Sequence, residues 1–94
     1  MKILEKKWRK KAGVMTLKTL LEKKDFDYIE WRVTAPKGID VDTIFFGHCM
    51  SKNGKLISLD GDNYSEDKEI ISYKEWYTRD IKNGLTVIVQ GEWA

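Results

Sequence analysis

The chain has 94 residues, 41% of them hydrophobic and 12% aromatic, with a formal net charge of +2. That is enough apolar material for one packed core and too little chain for two, so wholesale disorder is excluded and a single domain over residues 1–94 is expected. No apolar run approaches the ~18 residues of a transmembrane helix, the basic start lacks the apolar stretch of a secretory signal, and the lone Cys49 cannot close an internal disulfide, so a cytoplasmic protein without membrane contact is expected.

The charge is unevenly spread. Residues 1–24 hold nine Lys/Arg against two Glu, a net +7, whereas residues 25–94 hold eight Lys/Arg against thirteen Asp/Glu, a net −5. A basic head on an acidic body reads either as a solvated helix face or as an electrostatic contact with nucleic acid or an acidic protein.

In chain order, residues 1–13 form a basic arm or helix, with Leu4 and Trp8 spaced to share a helix face. Gly13 interrupts it. Thr16 is a plausible N-cap for a short helix through Lys24, with Leu17, Leu20 and Leu21 on one face and Lys23 and Lys24 in the last turn. Residues 27–34 alternate Tyr28, Glu30, Arg32 and Thr34 with Ile29, Trp31 and Val33, the period of a half-buried strand. Pro36 and Gly38 end it, and Thr43–Met50 reads as a second strand. Asn53-Gly54 predicts a hairpin turn, with Lys55–Asp60 returning as the third. Glu69–Thr78 reads as a fourth strand on β-branched and aromatic content, although Ile70, Tyr73 and Tyr77 also fit a helical spacing. Asn83-Gly84 predicts a second tight turn, and Leu85–Trp93 a closing strand. The expected architecture is α+β: one N-terminal helical segment packed on an antiparallel sheet of about four to five strands, joined as a meander, with the helix belonging to residues 14–94.

The residue types that carry chemistry are sparse. Asp60, Asp62, Glu66 and Asp67 form the densest carboxylate cluster. A calcium loop starting at Asp60 requires Gly sixth and Glu twelfth, where this chain has Ser65 and Ile71, so no metal is expected there. His48 and Cys49 are adjacent, so on a strand they point to opposite faces and do not form a nucleophilic pair. One Cys and one His fall short of a zinc site, and there is no phosphate-binding loop or serine elbow. These readings predict no catalytic residues, no cofactor and no enzyme. The eleven aromatics are more than so small a core hides. The adjacent pairs Phe45-Phe46 and Trp76-Tyr77 must place some rings on the non-core side of the sheet, which then is either a recognition surface of the kind Trp and Tyr mark or a second face covered by the basic arm or another subunit.

The sequence Leu-Ile-Ser-Leu-Asp-Gly-Asp-Asn-Tyr-Ser from Leu56, Ile-Ile-Ser-Tyr-Lys-Glu-Trp from Ile70, and Asn-Gly-Leu-Thr-Val-Ile-Val-Gln-Gly-Glu-Trp to Trp93 resembles a group of short proteins from Firmicutes phages and mobile elements. Thr16-Leu-Lys-Thr-Leu-Leu fits the helical start of that pattern, and the basic stretch Lys2–Lys11 lies outside it. The group supplies no activity that transfers residue by residue. The resemblance implies a stoichiometric modulator of host machinery, of the anti-CRISPR kind.

The expected function is therefore a small protein-interaction module, an inhibitor of a host nucleic-acid-handling system, with a host or phage protein as partner. Its contacts would be Asp60, Asp62, Tyr64, Glu66, Asp67, Trp76 and Tyr77. The alternative is a nucleic-acid-binding protein using Lys6, Lys7, Trp8, Arg9, Lys10 and Lys11, with the net-acidic body counting against it. A homodimer is left open.

Overall fold

The computed structural model describes residues 15–58 and 65–92, together with the backbone of residues 4–5 and 9–10; at Ser58 the backbone alone is described. The elements are β1 (Leu4–Glu5), β2 (Arg9–Lys10), α1 (Leu17–Leu21), β3 (Tyr28–Thr34), β4 (Thr43–Lys52), β5 (Lys55–Ser58), β6 (Ser72–Tyr77) and β7 (Gly84–Val89). Five strands make the body of one sheet in the order β6-β7-β3-β4-β5, and β1 and β2 both pair antiparallel with the outer edge of β6.

The α+β class holds, with three corrections to its details. The sheet is mixed: β3 and β7 pair in parallel from Tyr28↔Gly84 to Val33↔Val89, while the other pairings are antiparallel. A meander is therefore ruled out. After β5 the chain returns to the opposite side of the sheet, so β6 and β7 are laid down from the far edge inward. The reason is burial. Gly84 to Val87 and Val89 are all buried, and so continuous a buried run belongs in the centre of the sheet, between β6 and β3.

The second correction concerns the helical segment. Leu4–Glu5 and Arg9–Lys10 are extended rather than helical, and Trp8, expected to share a helix face with Leu4, lies outside the described residues. The helix is α1, five residues long, ending at Leu21 rather than Lys24. It persists because Leu17, Leu20 and Leu21 are all buried. Thr16 occupies the N-cap position, yet its side chain makes no capping bond. The first amides are satisfied instead by the chain before β6: Leu17 N–H donates to the Lys68 carbonyl at 3.1 Å and Lys18 N–H to that of Glu66 at 2.8 Å.

The third correction concerns the turns. Asn53 (φ 55°) and Gly54 (φ 77°) form the predicted tight turn between β4 and β5. The Asp25 carboxylate clasps it, accepting from Asn53 N–H at 2.7 Å and Gly54 N–H at 3.1 Å. Those two backbone bonds hold the Asp25 carboxyl below its usual value. Asn83-Gly84 is not such a turn: neither residue has positive φ, and Gly84 is the first residue of β7. The link from β6 is folded instead by Thr78, whose hydroxyl accepts from Asp80 N–H at 3.2 Å and Ile81 N–H at 3.0 Å.

The strand reading of residues 69–78 holds over Ser72–Tyr77. The core lies between α1 and one face of the sheet, where Leu17, Leu20 and Leu21 meet Phe26, Ile29, Trp31, Cys49, Ile70, Leu85, Val87 and Val89. Cys49 is a core residue that accepts from the Trp31 indole N–H at 3.3 Å.

Candidate binding face of the sheet

Strand alternation sorts side chains between two faces, and residues directly opposite across strands share a face. With Ile29, Cys49, Leu85 and Val87 on the helix side, the other face carries Tyr28, Glu30 and Arg32 of β3, His48 and Met50 of β4, Lys74 and Trp76 of β6, and Thr86 of β7. Among the described residues no helix or strand is packed over it.

Aromatic rings cross this face. The Tyr28 and His48 rings stack with centroids 4.9 Å apart and planes 6° apart, and Tyr28 meets Trp76 on its other side at 5.8 Å. A register shift between Trp31 and Arg32 sets Phe45 opposite Arg32 and makes Phe46 the extra residue of a β-bulge. Both rings are about half exposed, 48% for Phe45 and 52% for Phe46.

A polar chain runs beside the rings. The Trp76 indole N–H donates to Thr86 Oγ1 at 2.9 Å, and that hydroxyl donates to Glu30 Oε1 at 2.9 Å. Arg32 Nη1 meets Glu30 Oε2 at 3.1 Å, and Arg32 Nε donates to Thr43 Oγ1 at 2.8 Å. Glu30 and Arg32 thereby neutralise each other, and each is held in place by neighbouring side chains.

The charge on this face differs from that of the whole body. Across the five-strand body the register assigns it the cations Arg32, Lys52, Lys55 and Lys74 and one carboxylate, Glu30, while at the β6 edge the pairing sets Glu5 opposite Trp76 and Lys10 opposite Ser72. Acidic residues lie elsewhere. Glu75 is on the helix side, bonded to Lys24 at 2.7 Å, and Asp25 and Asp27 cap backbone amides in connecting segments. Three of the thirteen carboxylates that make the sequence after residue 24 net acidic are thus engaged away from this face.

Of the residues expected at a protein contact, those described stand in two parts of the fold. Asp60, Asp62 and Tyr64 lie outside the described residues. Glu66 reaches the Leu56 amide of β5 at 3.4 Å, and Asp67 follows it in the chain. Trp76 and Tyr77 stand on β6, at the other side of the five-strand body. As their adjacency requires, these two point to opposite faces: Trp76 bonds Thr86 on the open face, while Tyr77 is 48% exposed on the other. Of the expected nucleic-acid contacts, Lys6, Lys7, Trp8 and Lys11 lie outside the described residues. Arg9 and Lys10 are placed by backbone alone, opposite Tyr73 and Ser72. Sequence reasoning missed Tyr28, Glu30, Arg32 and Thr86 as a connected surface. The alternation of residues 28–34 carried the signal that Tyr28, Glu30 and Arg32 share a face, but not what would lie beside them.

Among the described residues no group of three or more His, Cys, Asp or Glu is arranged to hold a metal, and no helix is long and apolar enough to cross a membrane. No protein family, curated protein or solved structure matched the chain.

Proposed function

We propose that this chain is a non-catalytic binding module and that it binds a macromolecule on the sheet face opposite α1. The observation that carries this reading is the pair Phe45 and Phe46, half exposed side by side at a bulge in an otherwise ordered strand. Two large half-exposed rings on an ordered strand lose little entropy on binding and can bury their exposed halves against a partner. The polar groups around them support the same reading. Glu30 is held by Thr86 and Arg32, and Arg32 in turn by Thr43, as befits a preformed contact surface. An inhibitor of a host nucleic-acid-handling system would be a special case of this reading, one that rests on the resemblance alone.

The test is amide chemical-shift mapping of the intact chain against a small panel of probes: oligonucleotides, a cationic peptide and an anionic peptide. Perturbations are expected at Tyr28, Phe45, His48 and Lys74 with whichever probe binds. Perturbations confined to α1 and residues 65–69 would overturn the reading.

A further inference from the structure

We infer that the occupant of the open face is a single-stranded nucleic acid, its bases stacked on Trp76, Phe45 and Phe46 and its phosphates met by Lys52, Lys55 and Lys74. This rests on the reading of that face as the binding surface and names its ligand.

The first argument is ring orientation. A β-carbon at Gly84 would stand 2.5 Å from Cδ2 and Cε3 of Trp76 and 2.7 Å from Cε2. Three ring atoms at nearly equal distance mean that the indole lies flat on the Gly84 backbone. One face of the indole covers the glycine and the other is turned away from the sheet. A flat aromatic face on a sheet is what an unstacked base requires, and base–aromatic stacking contributes roughly 1–3 kcal/mol per base. Tyr28 and His48 do not serve this way, because their facing surfaces are taken up by each other.

The second argument is charge. Across the five-strand body, four cations against one carboxylate, itself bound by Arg32, make this face attractive to a polyanion even though the sequence after residue 24 is net acidic; at the β6 edge Glu5 and Lys10 add one charge of each sign. Lys52 and Lys55 flank the Asn53-Gly54 turn at one end, and Lys74 stands on β6 at the far side. The backbone pairing of β1 and β2 also brings Leu4–Glu5 and Arg9–Lys10 to the β6 edge that carries Lys74 and Trp76. Five strands at roughly 4.8 Å spacing span about 19 Å, in keeping with the short sites, from about 4 nucleotides upward, of single-strand-binding folds. A duplex offers no free base faces, so single strands are the expected form.

The test uses the intact chain with a fluorescent oligothymidylate and an oligouridylate, each about a dozen nucleotides long. A duplex of the same length, polyglutamate and a cationic peptide serve as comparison arms. The single strands should bind, with affinity falling as salt rises, and should perturb Phe45, Phe46, Trp76 and Lys74. Phe45→Ser with Phe46→Ser should weaken binding about ten-fold or more and leave the salt slope unchanged. Lys52→Gln with Lys55→Gln should lower the log–log salt slope by about 1.4, at ~0.7 per phosphate contact. Both double variants alter exposed side chains, and their thermal midpoints should match the parent. The inference is overturned if single strands fail to bind at low salt, if polyglutamate or the duplex binds as well, or if the perturbations are confined to residues 2–11. If the cationic peptide perturbs the face and the oligonucleotides do not, the ligand is a protein: this inference fails and the binding-face reading survives.

Discussion

Trp76 and Gly84 are cross-strand partners on β6 and β7, and the indole of the first rests directly on the backbone of the second. Gly84 is therefore a seat for a ring, and its lack of a side chain matters for space rather than for backbone angle. Gly84→Ala should destabilise the domain by about 1–3 kcal/mol, because a β-carbon there overlaps the ring and forces it off its rotamer. Gly84→Val should cost more. Since the cause is the overlap, adding Trp76→Ala should make the second substitution much less costly than it is alone. Urea midpoints of the two single variants and the double variant measure this. Strict additivity would show that the glycine acts through something other than Trp76.

Thr86 links Trp76 to Glu30 through a buried hydroxyl. Thr86→Val keeps the shape and removes both bonds, leaving the indole N–H without its acceptor and Glu30 with Arg32 as its remaining donor. A loss of about 1–3 kcal/mol in unfolding free energy is expected. Thr86→Ser should recover most of it. Equal losses for both variants would mean that the methyl group, and not the hydroxyl, holds the site.

Asp25 gives the fold a pH dependence of known sign. Its folded-state pKa lies below the ordinary value of 3.8, because the Asn53 and Gly54 amides bond the carboxylate. Its contribution is therefore present above that ordinary value and lost as pH falls through the lower, folded one. Asp25→Asn should reduce stability at neutral pH and flatten this part of the acid limb of a stability–pH profile. A profile with an unaltered acid limb would show that the clasp on the turn is not maintained in solution.

The basic segment meets β6 through main-chain pairing. Neutralising Lys6, Lys7, Arg9, Lys10 and Lys11 to Gln should therefore leave the thermal midpoint within a few degrees of the parent, since surface substitutions of this kind cost about 0.5 kcal/mol or less. A large drop would mean that those side chains, rather than the backbone, hold the arm.

The carboxylates from Asp60 to Asp67 do not match a calcium loop, since Ser65 and Ile71 occupy its required Gly and Glu positions. Thermal midpoints in EDTA and in millimolar calcium should coincide. A large upward shift with calcium would reveal a bound ion, because a ligand for the native state stabilises it by mass action.

Local chemistry alone determined several features of this protein. Alternation placed β3, because a period of two is a property of adjacent residues. Asn53-Gly54 marked its turn because positive φ is a preference of those residue types wherever they stand. The opposite facing of Trp76 and Tyr77 follows from strand geometry. Tertiary structure alone decided which strands are neighbours. The parallel pairing of β3 with β7, more than fifty residues apart, is set by which strands most need a central place in the sheet, a comparison no local window contains. Register then did the rest. It laid Trp76 over Gly84, turning an apparent turn glycine into a ring seat. It also gathered Arg32, Lys52, Lys55 and Lys74 on one face while Glu75 went to the other. Net charge sums over the chain, whereas a ligand meets one face, and the assignment of charges to faces exists once the strands have paired.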